Sequence, residues 1–234
     1  MYRELDAERI VATVRALEQR IKERFPVSGL SQVAGELVEV AQSAVARAVE
    51  LSRPNLAIRL AVGALVVALA ALLAGVVLTL KVSLHVDSLA TLLQATEAAV
   101  NDVVFVGIAI WFLATLERRI KRGRALRAIH ELRSLAHIVD MHQLTKDPEA
   151  VLTPGRETPS SPSRARMTRF ELARYLDYCS ELLSLTSKLA ALYVQRFQDE
   201  HVLAAVSDVQ ALTNGLSGKI WQKIVILDTA AATT

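Results

Sequence analysis

Residues Leu60 to Leu80, LAVGALVVALAALLAGVVLTL, run for 21 residues without a charge. As an α-helix this stretch is about 32 Å long, the thickness of a bilayer's hydrocarbon core. A surface helix of a soluble protein carries a polar face, and this stretch has none. It reads as a transmembrane helix, and the rest of the chain must be arranged around it.

A second apolar stretch, Val103 to Leu116, is short for a span. Extended back through Ala98, Ala99 and Val100 it reaches spanning length and takes in Asn101 and Asp102. The expectation is a hairpin of two spans, at about 58–80 and 98–117, with Asp102 at the outer helix end in reach of water. The loop from Lys81 to Ala99 would form a turn or two of helix at the interface.

Charge orients the hairpin. Arg118, Arg119, Lys121, Arg122, Arg124 and Arg127 follow the second span with no acid among them, and Arg47, Arg53 and Arg59 flank the first. The connecting loop is nearly neutral. By the positive-inside rule both termini are cytoplasmic in a bacterial-type plasma membrane. The six cations also suit anionic lipid headgroups. A nucleic-acid site would want interleaved aromatics or a recognisable module, and neither is present. Net charge is only +3, and 52 % hydrophobic residues coexist with 22 % charged ones, as expected where membrane and aqueous parts are segregated.

On the N-terminal side, MYRELDAERI has charges where a cleaved signal peptide needs an apolar run. Residues 3–25 read as an amphipathic helix with Ala7, Ile10, Val14, Leu17, Ile21 and Phe25 on one face. Pro26 to Gly29 breaks it. A second stripe follows through Leu30, Val33, Leu37, Val40, Ala44, Ala48 and Leu51, with Ser31 as its expected N-cap, completing a helical hairpin over 1–55.

After the second span a helical extension is expected over 118–152, running unbroken to about Leu144 and stopped by Pro148. Residues 153–167 are rich in Pro, Ser and Arg and read as a flexible linker. A C-terminal helical hairpin then covers 168–228. Its first helix spaces Leu172, Leu176, Cys179, Leu183, Thr186, Ala190, Tyr193 and Phe197 as a coiled-coil seam does. Asp199 is the N-cap of the last helix, which carries Val202, Val206, Val209, Leu212, Leu216, Ile220 and Ile224, and Thr229 onward is a frayed tail. Trp221 is assigned to the cytoplasmic core and Trp111 to packing within its span.

Reactive side chains concentrate between His130 and Asp147. His130, Ser134, His137 and Met141 share a helical face, and His137 with Asp140 and His130 could meet a zinc-like ion. The stronger reading is a polar helix–helix interface in which the two histidines bond to neighbouring helices. No phosphate loop, nucleophile elbow, zinc signature or pair of catalytic carboxylates is present. The lone Cys179 excludes a disulfide framework and reads as a small buried hydrophobe.

The expected fold is therefore all-α: an integral membrane protein with a two-helix transmembrane hairpin over 56–117 and a cytoplasmic bundle built from its N-terminal and C-terminal hairpins. Ala64, Ala68, Ala71 and Gly75 form a small-residue face for self-association. The function expected is non-enzymatic and needs no cofactor: an oligomeric membrane scaffold or sensor that recruits a cytoplasmic protein partner. The alternatives are an oligomeric channel or pore-forming effector, with Asp102 in its ion path, and a metal-dependent enzyme at His130, His137 and Asp140.

Overall fold

The structure is a computed structural model that describes residues 4–83, 89–152 and 167–232. It is all-helical, with no strand among the described residues. Seven helices follow in order: α1 Ala7–Arg24, α2 Gly29–Ser52, α3 Leu56–Ser83, α4 Leu89–Leu144, α5 Pro148–Leu152, α6 Arg169–Arg196 and α7 Glu200–Ala232. They divide into two compact units, one of residues 1–52 with 124–234 and the other of residues 53–123. The linker expected over 153–167 lies, but for Met167, outside the described residues.

The first unit is a helical bundle around one hydrophobic core. α1 begins at Ala7 rather than near residue 3 because the Asp6 carboxylate accepts the Glu8 and Arg9 N–H groups and caps it. Its buried residues are Ile10, Val14, Leu17 and Ile21, at the expected spacing. The turn to α2 is closed by Ser28, whose hydroxyl donates to the Phe25 carbonyl at 2.9 Å and accepts the Ser31 N–H at 3.2 Å. Ser28, not Ser31, is thus the cap, and Ser31 is buried inside the first turn. Ala34, Ala41, Ala44 and Ala48 are buried on α2, whereas Val40 is only half-buried. Small side chains on this face let α2 lie close against α6.

α6 is the centre of the bundle, packed on α1, α2 and α7. Thr168 and Glu171 start it with a capping box: Glu171 N–H donates to the Thr168 hydroxyl at 3.2 Å, and Thr168 N–H to the Glu171 carboxylate at 2.7 Å. These bonds hold the Glu171 carboxyl below its ordinary range. The expected seam is buried except at Phe197, which is half-buried, but so are Tyr175, Tyr178, Leu182, Leu185, Leu189 and Leu192. Burial of both flanks makes α6 a core helix within one chain, so its heptad pattern is consumed internally.

α7 starts as expected at Asp199, whose carboxylate accepts the His201 N–H at 3.1 Å. It runs through Asn214, Gly215 and Gly218 and on past Thr229, whose hydroxyl donates to the Val225 carbonyl at 2.9 Å. The tail expected to fray from Thr229 is therefore helical to Ala232. Trp221 points outward with 63 % of its surface exposed, and the core position beside it belongs to Ile220.

α4 completes this core with Ala125, Ala128, Ile129, Leu132, Leu135, Ala136 and Val139. It runs antiparallel to α2: Arg47 and Glu131 pair at 2.6 Å, and the His142 imidazole sits directly over Gly29 at the start of α2. The end of α4 is held by Lys223 of α7, which donates to the Gln143 and Lys146 carbonyls at 2.8 and 2.9 Å. A cation at a helix C-terminus faces the negative end of the dipole.

The second unit contains all of α3 and the first part of α4. α3 and α4 are long and apolar enough to cross a membrane, and in the most apolar stretch of each no residue is buried. Both helices reach further into the expected connection than the hydropathy indicates. α3 continues to Ser83 and α4 begins at Leu89, so most of the expected loop is regular helix.

Candidate functional site

The two apolar helices are fastened together at one end. Asn55 caps α3 through its side-chain oxygen, which accepts the Ile58 N–H at 3.2 Å. Its own N–H donates to Glu117 of α4 at 3.0 Å. Arg59 donates to the other Glu117 oxygen at 2.8 Å. Lys121 reaches Glu117 at 2.9 Å and donates to the Arg53 carbonyl at 2.7 Å. One carboxylate thus ties the start of α3 to α4 and fixes an antiparallel hairpin. Sequence reasoning does not single out Glu117 or Asn55. The signal for them is an acid at the very end of one apolar run, matched by basic residues at the start of another.

Beyond this clasp the helices present bare hydrocarbon. Leu60 is 73 % exposed, Phe105 72 % and Trp111 68 %, so Trp111 does not pack within the chain as expected. A soluble fold rarely leaves so continuous an apolar surface uncovered. Ala64, Ala68, Ala71 and Gly75 are all exposed on this surface. A methyl group added at Gly75 would meet no described atom within 4 Å, so the small-residue face has no partner there among the described residues.

Asp102 does not lie at a helix end. α4 begins at Leu89, and Asp102 is an exposed residue well inside the helix. The expectation of a solvated terminus fails because residues 89–99, rich in Leu and Ala, are good helix formers and prolong α4 upstream.

Of the six cations after the apolar run, Lys121 is committed to the clasp and Arg119 lies over the Phe112 ring at 4.8 Å. Arg118, Arg124 and Arg127 are exposed and Arg122 is half-buried.

His130, Ser134, His137 and Met141 do share a face of α4, but it is the outward one. The two imidazoles are exposed, not bonded into neighbouring helices, because the opposite apolar face enters the core. Asp140 points elsewhere and accepts the Gln143 amide at 2.6 Å. His130, His137 and Asp140 are therefore not brought together, and among the described residues no three His, Cys, Asp or Glu side chains are placed to hold a metal ion.

Cys179 is fully buried, and loss of solvation pushes its thiol up to about 12. An anionic nucleophile is not formed there near neutral pH. A groove of about 800 Å³ lies between the N-terminal end of α1 and the middle of α6, bordered by Glu4, Arg9, Glu181 and Lys188. Ser184 lines it as well, and the Lys188 ammonium donates to the Ser184 hydroxyl at 2.6 Å.

The chain matches no protein-family model, and comparison with curated proteins and with solved structures gives no match. The class reached is that of an all-helical protein in which a helical bundle is joined to two helices able to cross a membrane.

Proposed function

We propose that this chain is an oligomeric membrane scaffold or sensor: α3 and α4 cross the bilayer as a hairpin, and the bundle on the cytoplasmic side recruits a protein partner. The observation that carries the reading is the contrast between the two units. The bundle closes its own core, whereas the apolar faces of α3 and α4 stay uncovered among the described residues. Membrane lipids cover that surface, and the Arg118, Arg119, Arg124 and Arg127 side chains meet anionic headgroups or the adjoining cytoplasm. The separation of His130, His137 and Asp140 favours a non-enzymatic role over a metal enzyme. The same basic residues favour a plasma membrane of bacterial type with both termini on its cytoplasmic side.

A second reading, an oligomeric channel, is favoured by the position of Asp102 inside α4 rather than at its end, since an acid within a membrane helix is a default functional candidate. One experiment separates the two. The full chain is reconstituted in liposomes for ion flux, and its mass is measured in detergent on the same preparation. Silent liposomes from a small, well-folded oligomer support the scaffold. A conductance that changes in Asp102→Asn overturns it in favour of the channel. Reporter fusions check the orientation, and a C-terminus outside the cytoplasm would refute the hairpin.

A further inference from the structure

The groove between α1 and α6 is built by the way the chain enters the bundle. The Leu5 N–H donates to the Gln195 side-chain oxygen at 3.0 Å, and the Gln195 amide donates at 3.3 Å to both the Leu5 carbonyl and the Glu4 carboxylate. Residues 4–6 are thereby laid across the end of α6 before α1 begins. What stays open beside the two helices is a space of about 800 Å³, a size suited to a small organic ligand. Its apolar lining is aliphatic, from Leu5, Ile10 and Leu185, with no aromatic side chain among its described residues.

Most of the charge around this space is already matched. The Asp6 carboxylate caps α1 and pairs with Arg9 at 3.3 Å, Glu181 pairs with Arg20 at 2.7 Å, and Glu4 accepts from Gln195. Lys188 is different, because among the described residues it has no carboxylate partner. Its ammonium donates to the Ser184 hydroxyl at 2.6 Å and reaches the Ser184 carbonyl at 3.5 Å. Both side chains are exposed, one turn apart on α6. An ammonium has three protons, and a hydroxyl that accepts one bond still has its own proton to give. The pair therefore offers two donors to an outside acceptor.

We propose that this groove binds a monocarboxylate with an aliphatic tail, a medium-chain fatty acid taken from solution, its carboxylate on Lys188 and Ser184 and its tail over Leu5, Ile10 and Leu185. Charge selects the class. One uncompensated ammonium matches one negative charge, through hydrogen bonds of the strong, charge-assisted kind. Glu4, Asp6 and Glu181 stand around the same space, so a dianion meets twice the repulsion of a carboxylate with no second free ammonium to offset it. An amine finds those carboxylates engaged and Lys188 opposing it. The tail is aliphatic because the lining gives it methyl groups to pack on and no ring to stack against. The site lies within the bundle unit, and it does not depend on whether the chain oligomerises or conducts.

Equilibrium dialysis of labelled octanoate against the full chain in nanodiscs tests this, with empty nanodiscs of the same lipid measuring what the bilayer alone takes up. Saturable binding above that baseline is expected, tightening about threefold for each methylene between hexanoate and octanoate. Lys188→Met should weaken it about tenfold or more, while Lys188→Arg keeps most of it. Thr13 is exposed on the border of the groove, and Thr13→Trp should fill the opening and abolish binding. Circular dichroism checks that each variant keeps its helicity. Octylamine, and octyl phosphate in its dianionic form at about pH 8, should each bind about tenfold more weakly than octanoate. Uptake no greater than that of empty nanodiscs overturns the proposal. So does excess uptake that persists undiminished in helical Lys188→Met and Thr13→Trp, which would put the fatty acid on the apolar helices instead. Octylamine or octyl phosphate binding as well as octanoate overturns it too. The ion-flux and mass measurements judge the scaffold reading separately from all of these results.

Discussion

The contact between Gly29 and His142 can be tested by adding a single methyl group. An alanine Cβ at position 29 would stand 2.2 Å from the His142 Cε1, against 3.4–4 Å for an ordinary contact. The backbone there is outside the left-handed region, so alanine is conformationally acceptable and the whole conflict is with the imidazole. Moving the ring by more than about 1 Å gives up its packing at the junction of α2 and α4, an overpacking cost of about 1–3 kcal/mol. Relief of glycine's excess backbone freedom offsets up to about 1 kcal/mol of this. Gly29→Ala should therefore destabilise the bundle by about 1–2 kcal/mol at the centre of that range, or roughly 2–8 °C in Tm for a unit of this size. In a His142→Ala background the same substitution should turn neutral or stabilising, because the methyl group then enters the vacated space. Thermal unfolding of the two single variants, the double variant and the native chain gives the coupling, expected at about 1 kcal/mol or more. Additive effects with no coupling would show that α4 does not seat His142 over the start of α2, and the antiparallel placement of the two helices would lose one of its two anchors.

Three further outcomes are expected. The buried Cys179 thiol, pushed up to about 12, and the buried Tyr193 phenol, also pushed up to about 12, keep their protons when folded while the unfolded chain releases them nearer 9 and 10. Their contribution is complete below about pH 9 and lost as pH rises toward about 12, by up to about 1.4 kcal/mol per pH unit for each group. Urea midpoints between about pH 8 and 11 should fall, and less steeply in Cys179→Ala. Lys223→Met leaves the Gln143 and Lys146 carbonyls without their cation and should cost about 1–3 kcal/mol. Burial lowers Lys223, so its own titration adds stability as pH rises through its folded range, and this variant should also steepen the alkaline fall. Glu117→Ala removes the acceptor shared by Asn55, Arg59 and Lys121, and hydrogen exchange at the Asn55 amide should quicken about tenfold or more. Unchanged exchange would mean that the clasp does not hold α3 to α4.

Burial writes a period of three and four into a helix, and that is why Ile10, Val14, Leu17 and Ile21 are legible from the order of residues alone. The same period exists on α4, where Ala125, Ala128, Ile129, Leu132, Leu135, Ala136 and Val139 mark the inward side. There it is harder to see, because three of the seven are alanines and the chemically conspicuous His130 and His137 occupy the opposite face. Capping is legible in part. Asp199 stands at an evident turn, whereas the Thr168–Glu171 box, despite its T-x-x-E spacing, adjoins a Pro- and Ser-rich stretch that blurs where α6 begins. The upstream reach of α4 to Leu89 is hidden for a different reason. Hydropathy marks where lipid is tolerated, while helix propensity in residues 89–99 marks where the backbone stays helical, and the two limits need not coincide.

Which faces turn inward can be read along one helix, but a functional site is made where several helices converge. Periodicity sets Asp140 and His137 three residues apart and so makes a shared ligand conceivable. Packing decides otherwise by giving Asp140 to Gln143 and leaving His137 in solvent. The clasp at Glu117 shows the reverse. Its carboxylate is marked in the sequence only by its place at the end of an apolar run, and its meaning depends on α3 and α4 returning side by side so that Asn55 and Arg59 arrive at the same two oxygens.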